Sequence, residues 1–157
     1  MSEPSSDEVV GAFLERVGSG VLEDVRKMIA VMPSLVNAVG PHPFWGGRPQ
    51  ALHVAVEGGR RELFDLLLEH GADVNGSNAE YDLWSPLMLA INRDRDEMRD
   101  ELLRRGARVG LLEALMMADD ERVATLLADG LPAVAPNRGS ILAFARTPFA
   151  IDRLIAR

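Results

Sequence analysis

The sequence predicts an all-α fold in which short helix-turn-helix units stack side by side into a solenoid. The main observation is an internal repeat, because residues 51–75 and residues 86–109 match one another. The matched pairs, each separated by 35 residues, are Leu52 with Leu87, Ala55 with Ala90, Leu67 and Leu68 with Leu102 and Leu103, and Gly71 with Gly106. A unit of this size cannot bury its apolar face alone, so it must stack on its neighbours.

Residues 50–75 resemble the ankyrin repeat, whose pattern reads roughly T-P-L-H-x-A-A-x-x-G-H-x-x-V-V-x-L-L-L-x-x-G-A-D-V-N. The first copy keeps Leu52, His53, Ala55, Gly59, Leu66, Leu67, Leu68 and the run from Gly71 to Asn75. The second copy keeps the Ser85-Pro86-Leu87 start but has Met88 in place of the histidine and Asp94 in place of the central glycine. The resemblance implies an ankyrin-repeat solenoid in which His53 hydrogen-bonds neighbouring backbone.

Residues that favour helix ends mark the individual elements. Ser85 and Pro86 are typical of an N-cap followed by the first helical position, and Thr147-Pro148 repeats that pattern. Gly71 and Gly106 stand where a helix is expected to end in a left-handed residue. Ser5-x-x-Glu8 fits a capping box. We therefore predict one domain over residues 1–157, with about five units near 5–39, 48–78, 84–108, 109–133 and 139–157, the outer ones being irregular caps.

Composition excludes several classes of function. The chain of 157 residues has a net charge of −7, which disfavours binding to nucleic acid or to an anionic membrane surface. It has no cysteine and three scattered histidines, so no metal site or cofactor is expected. The acidic start lacks the pattern of a signal peptide, which predicts a cytoplasmic protein, and we expect a monomer. A single lysine, Lys27, among 17 basic residues points to a bacterial source.

Two loops depart from the repeat pattern. A standard unit has about ten residues between the asparagine of one copy and the next Leu of T-P-L-H, as the resemblance implies. Here the separation is 15 residues from Asn37 to Leu52 and 12 from Asn75 to Leu87. We call residues 38–50 the first finger and residues 78–84 the second finger. Both tryptophans and the only tyrosine lie in them, and insertions of this kind often form the binding face.

The favoured function is a protein-interaction module that binds a partner of unknown identity through these fingers and the concave inner helices. The candidate binding residues are His42, Phe44, Trp45, Arg48, Glu57, Tyr81, Asp82, Trp84 and Asn92. The alternative is a small-ligand or catalytic site around His42, Arg48 and Tyr81, although no catalytic motif is present. The aromatic rings have a second interpretation, since Phe44, Trp45 and Trp84 would also serve to anchor a long finger. The charge run that begins at Arg93 is interpreted as a solvated turn.

Overall fold

The computed structural model describes residues 6–76, 79–81, 83–130 and 140–156. Within these ranges the chain is helical and contains no β-strand. The α-helices are α1 (Ser6–Ser19), α2 (Leu22–Val31), α3 (Ala51–Glu57), α4 (Arg61–Glu69), α5 (Pro86–Asn92), α6 (Asp96–Arg104), α7 (Leu111–Met116), α8 (Asp120–Ala128) and α9 (Pro148–Ile155). Short 3₁₀ helices cover Pro33–Asn37, Ala79–Tyr81 and Ile141–Phe144.

The helices form two layers. Each pair from α1–α2 to α7–α8 is an antiparallel hairpin, and the inner helices α1, α3, α5 and α7 contact one another in order. The outer helix α2 packs against α4 behind them. Small residues at the inner contacts, Ala55, Ala90 and Ala114, are completely buried and allow the backbones to approach closely. The all-α solenoid predicted from the repeat is confirmed.

Helix ends follow the local sequence as predicted. The Ser85 hydroxyl accepts a hydrogen bond from the Met88 amide at 3.1 Å, and the Thr147 hydroxyl accepts one from the Ala150 amide at 3.1 Å. Gly71 and Gly106 adopt φ values of +83° and +88° just after α4 and α6, where a side chain would be strained. The Ser5 capping box cannot be compared, since Ser5 lies outside the described residues.

The turn between the two helices of a unit contains a left-handed residue in four successive units. Gly20 and Gly59 supply it in the first two units with φ of +82° and +62°, but Asp94 and Ala118 occupy the same turn in the next two units with φ of +53° and +59°. A residue with a Cβ is disfavoured in this conformation by roughly 1–2 kcal/mol. Aspartate visits this conformation more readily than alanine does, so local preference is opposed most strongly at Ala118.

Polar side chains join successive units. The Asn37 amide donates to the Gly71 carbonyl at 2.9 Å, and its oxygen accepts from the Asp73 amide at 2.8 Å. One unit later, the Asn75 oxygen accepts from the Arg108 amide at 2.7 Å. The terminal asparagine of each pattern therefore holds the loop of the following unit.

The apolar core is divided into two clusters. The larger one extends from Val10 in α1 to Ala107 after α6, and the smaller one comprises residues of α7, α8 and α9. Val109 packs against both. The last unit begins with a 3₁₀ helix, Ile141–Phe144, that contacts α7 in the place where an inner α-helix would stand.

Candidate functional site

The first finger is a tight loop that lies along α1. Its backbone closes through the Gly40 amide to the Pro49 carbonyl at 3.2 Å and the His42 amide to the Gly47 carbonyl at 3.0 Å. A Cβ on Gly40 would be 2.3 Å from a methyl carbon of Val10, which shows how close the loop approaches the helix. The Arg48 amide also donates to the Glu80 carbonyl at 2.9 Å, so the two fingers are joined.

His42 links this finger to the end of α3. Its Nε2 lies 2.9 Å from Oε2 of Glu57, while its Nδ1 accepts from the amides of Phe44 and Trp45 at 3.1 and 3.3 Å. Because Nδ1 is the acceptor, the proton of the neutral ring is on Nε2, which donates to the carboxylate. The imidazole is 1% exposed and stacks on the Trp45 ring with centroids 4.8 Å apart. Both ring nitrogens are therefore used within the protein.

Glu57 is a buried carboxylate that remains ionised. Burial raises its pKa, but hydrogen bonds from His42 and Tyr81 and the positive charge of Arg93 outweigh that effect and lower the pKa overall. Its side chain is only 8% exposed. Tyr81 beside it has a raised pKa, because the ring is buried and its hydroxyl interacts with the carboxylate. The tyrosine thus stays protonated as a donor while the glutamate stays charged.

A groove of about 300 Å³ opens beside this pair, between the fingers and the inner helices, and we call it the finger groove. Its lining includes five residues singled out from the sequence, namely Trp45, Glu57, Tyr81, Trp84 and Asn92. It also includes residues that the sequence analysis did not select, namely Gly46, Gly47, Leu89 and Arg93. Leu89 is buried, whereas Asn92 and Arg93 are exposed.

Some aromatic side chains of the fingers are exposed, whereas others pack against the helices. Trp45 is 54% exposed on the groove, and its indole is also a hydrogen-bond partner of the Tyr81 hydroxyl. Phe44 is 56% exposed but points toward α1, since a Cβ on Gly18 would lie 2.6 Å from its ring. Trp84 is half-buried, and its ring meets that of Phe144 edge to face at 6.1 Å. Tyr81 itself is buried beneath the groove.

Arg48 is engaged away from the groove. Its guanidinium forms a bidentate pair with Asp7 at 2.7 and 3.0 Å, and its Nε lies 2.6 Å from a carboxylate oxygen of Glu80. The hydrogen bond from Arg48 lowers the pKa of Asp7. Arg48 thus pairs with carboxylates of this chain, and the pair with Asp7 fastens the finger to α1. Asp82 lies outside the described residues.

Arg93 and Gly47 could be recognised only in part from the sequence. Arg93 directly follows Asn92 but belongs to a run of charges typical of solvated turns. In the structure its Nη2 lies 3.7 Å from Oε1 of Glu57, at the rim of the groove. Gly47 adopts φ of +94°, and a Cβ there would be 2.9 Å from the Tyr81 ring. The adjacent glycines Gly46 and Gly47 indicate a turn, but they do not reveal the tyrosine that packs against Gly47.

The second histidine of the region has a structural position. His53 is completely buried, and its Nε2 lies 2.9 Å from the Trp84 carbonyl and 3.0 Å from the Gly76 carbonyl. Its Nδ1 accepts from the Gln50 amide at 3.2 Å. These bonds to backbone are those that the resemblance implied for His53. Burial lowers the pKa of His53 despite these hydrogen bonds.

The described part of the chain was compared with two further kinds of site, a metal centre and a membrane span. No group of three or more histidine, aspartate or glutamate side chains is arranged to hold a metal ion there. No helix in the same ranges combines the length and apolar character needed to cross a bilayer.

Comparison with known proteins agrees with the geometry. The family model described as ankyrin repeats (3 copies) matches residues 22–113, more than half of the chain. A search of curated proteins found no match. Among solved structures, the human ASB11 ankyrin repeat domain is similar, with 25% identity and a TM-score of 0.53 over 92% of this chain and 67% of that one. The chain belongs to the ankyrin repeat family, whose domains are typically modules for protein–protein interaction.

Proposed function

We propose that this chain is a recognition module that binds a protein partner in the finger groove and on the adjoining concave helices α3 and α5. The observation that carries the proposal is the groove itself. It presents the half-exposed Trp45 and the ring of Trp84 around a polar floor. Tryptophan is among the residues that dominate the binding energy of many protein interfaces, and two tryptophans line this groove.

The groove is organised before any partner arrives. His42 fixes the finger to Glu57, and Arg48 fixes it to α1 and to the second finger. A surface ordered in advance loses less conformational entropy on binding, so more of the contact energy is available as affinity. A finger held in this way supports tighter binding than a loop that becomes ordered only when the partner binds.

The buried polar groups are better suited to holding the finger than to catalysis. Catalysis around His42, Arg48 and Tyr81 would require free groups that converge on one open space. Both nitrogens of His42 are occupied, and Arg48 pairs with Asp7 and Glu80 outside the groove. Because these contacts use the reactive atoms, the geometry favours binding.

The proposed setting is the cytoplasm of a bacterium, with the chain acting as a monomer. The absence of cysteine and the composition of the chain are the support for the setting.

Site-specific photocrosslinking would test the proposal. A benzophenone amino acid is introduced at Asn92, which lies exposed on the groove, and in a matched variant at Glu69, which is exposed on the outer helix α4. Both variants are produced in the natural host and irradiated, and adducts are identified by mass spectrometry. We expect one protein to crosslink from position 92 and not from position 69.

The outcomes separate the site from the function. Crosslinking from position 69 alone would retain a binding role but contradict the groove as its site. An absence of protein adducts at both positions would contradict the recognition proposal. Adding Trp45→Ala to the position 92 variant is expected to reduce the yield of the adduct, because the groove loses one wall. The Trp45 ring is about half exposed, so its removal does not empty the apolar core.

A further inference from the structure

We infer that the finger groove receives a basic side chain, lysine or arginine, presented by a peptide segment of the protein partner. The inference rests on the proposed function and names the chemistry that the groove recognises. It is based on a buried carboxylate at the floor, aromatic walls and a loosely held internal cation.

The floor carries a negative charge with acceptor capacity to spare. The Glu57 side chain is 92% buried, as its exposed fraction is 8%, yet it lines the open groove. A carboxylate offers about four acceptor positions. His42 and Tyr81 each direct one donor toward it, so positions remain for a ligand. A partially desolvated carboxylate attracts a cation more strongly than one in water does.

The walls of the groove suit both the methylene chain and the charged group of a lysine or arginine side chain. Trp45 is fixed by stacking on His42, with centroids 4.8 Å apart and planes 21° from parallel. Its exposed surface and the Trp84 ring offer apolar contact to methylene groups and π faces to an ammonium or guanidinium. The volume of about 300 Å³ accommodates one such side chain.

Arg93 occupies the cation position only loosely. Its Nη2 lies 3.7 Å from Oε1 of Glu57, beyond hydrogen-bonding distance, and its side chain is 44% exposed. Arg93 is therefore a weak internal competitor that a better-placed basic group displaces. The net charge of −7 favours the approach of a basic segment over an acidic one.

The test uses a displayed library of random 12-residue peptides selected against the full chain. The strongest binder is synthesised, together with a copy in which its basic residue is norleucine. Affinities are measured by isothermal titration for the wild type, Glu57→Gln and Arg93→Gln, after thermal unfolding has shown that each variant is folded. Arg93→Gln alters an exposed side chain, so it tests the inference even if Glu57→Gln loosens the finger.

The two substitutions are expected to act in opposite directions. Glu57→Gln should weaken binding by about tenfold or more, because the bound cation loses its buried partner. Arg93→Gln should strengthen binding by roughly two- to fivefold, the range expected for removing an exposed competing ion pair. The norleucine peptide should bind weakly and should be insensitive to Glu57→Gln.

Other results would overturn the inference. A preference for acidic peptides, with binding weakened by Arg93→Gln, would assign the groove to the opposite charge. Peptides that bind equally to all variants would place recognition elsewhere. In both cases a recognition function stands, but the first outcome changes its chemistry and the second changes its site. A selection that enriches no peptide also overturns the inference, whereas the proposed function is tested separately by crosslinking from position 92.

Discussion

Replacing His42 by alanine should destabilise the protein by about 3 kcal/mol. The bond from Nε2 to the Glu57 carboxylate is charge-assisted and buried, and losing such a bond costs roughly 1.5–3 kcal/mol. The amides of Phe44 and Trp45 lose their acceptor as well, which adds about 1 kcal/mol. The carboxylate remains buried with one donor fewer, so the cost is not recovered by local rearrangement.

Urea denaturation followed by circular dichroism measures this loss. With a slope of about 2 kcal/mol per molar urea, 3 kcal/mol corresponds to a shift of the midpoint by about 1.5 M. His70→Ala is the matched control, since His70 is exposed at the end of α4, and its effect should stay below about 0.5 kcal/mol. A loss below 1 kcal/mol for His42→Ala would refute the anchoring role. So would strict additivity with Glu57→Gln in a double-mutant cycle.

Three further predictions concern stability. Ala118→Gly should raise the free energy of unfolding, measured by urea denaturation, by about 1 kcal/mol, because Ala118 adopts φ of +59°. Arg60→Met should lower it by about 1 kcal/mol, since Nε of Arg60 donates to the Gly18 carbonyl at the end of α1 at 3.1 Å. Stability should also fall as the pH decreases below about 6.5. Burial lowers the pKa of His53 in the folded state, so only the unfolded state takes up the proton in this pH range. The urea midpoints measured between pH 7.5 and pH 5.5 check this prediction.

Each of these predictions has a matched comparison. Ala114→Gly, within the helix α7, should destabilise the protein. If Ala118→Gly also destabilised it, the turn at Ala118 would not be strained. Arg26→Met, on the exposed side of α2, should have almost no effect on the free energy of unfolding. If Arg26→Met lowered it as much as Arg60→Met does, the hydrogen bond of Arg60 would not be the cause. His53→Met introduces the residue found at Met88, and the pH dependence should become shallower by up to about 1.4 kcal/mol per pH unit. An unchanged slope would contradict a buried neutral His53.

Much of the fold was accessible from the sequence because its determinants are local. The cap at Ser85, the left-handed glycines Gly71 and Gly106, and the 35-residue spacing each specify a short stretch of backbone. Stacking such stretches admits few arrangements, so the solenoid follows. The sequence did not reveal the left-handed turns at Asp94 and Ala118, since neither position carries the glycine that stands at Gly59.

The sequence predicted that the two fingers lie side by side, but not how their side chains are arranged. The excess length and aromatic content of these fingers are the basis for the candidate site, and Trp45, Tyr81 and Trp84 do line one groove. The pattern could not show that Tyr81 is buried beneath the groove while Trp45 stays exposed on it. It also gave no sign that Arg93, part of a charge run, lies at the rim.

The sequence by itself determined the repeat and the helix ends, because these depend on neighbours along the chain. Only the tertiary structure decided the partners of His42, Arg48 and Glu57. His42 meets Glu57 across 15 residues, and Arg48 meets Asp7 across 41. Such pairings depend on how a long finger folds over α1 and α3. That folding is set by the packing of whole units, which leaves no pattern in nearby sequence.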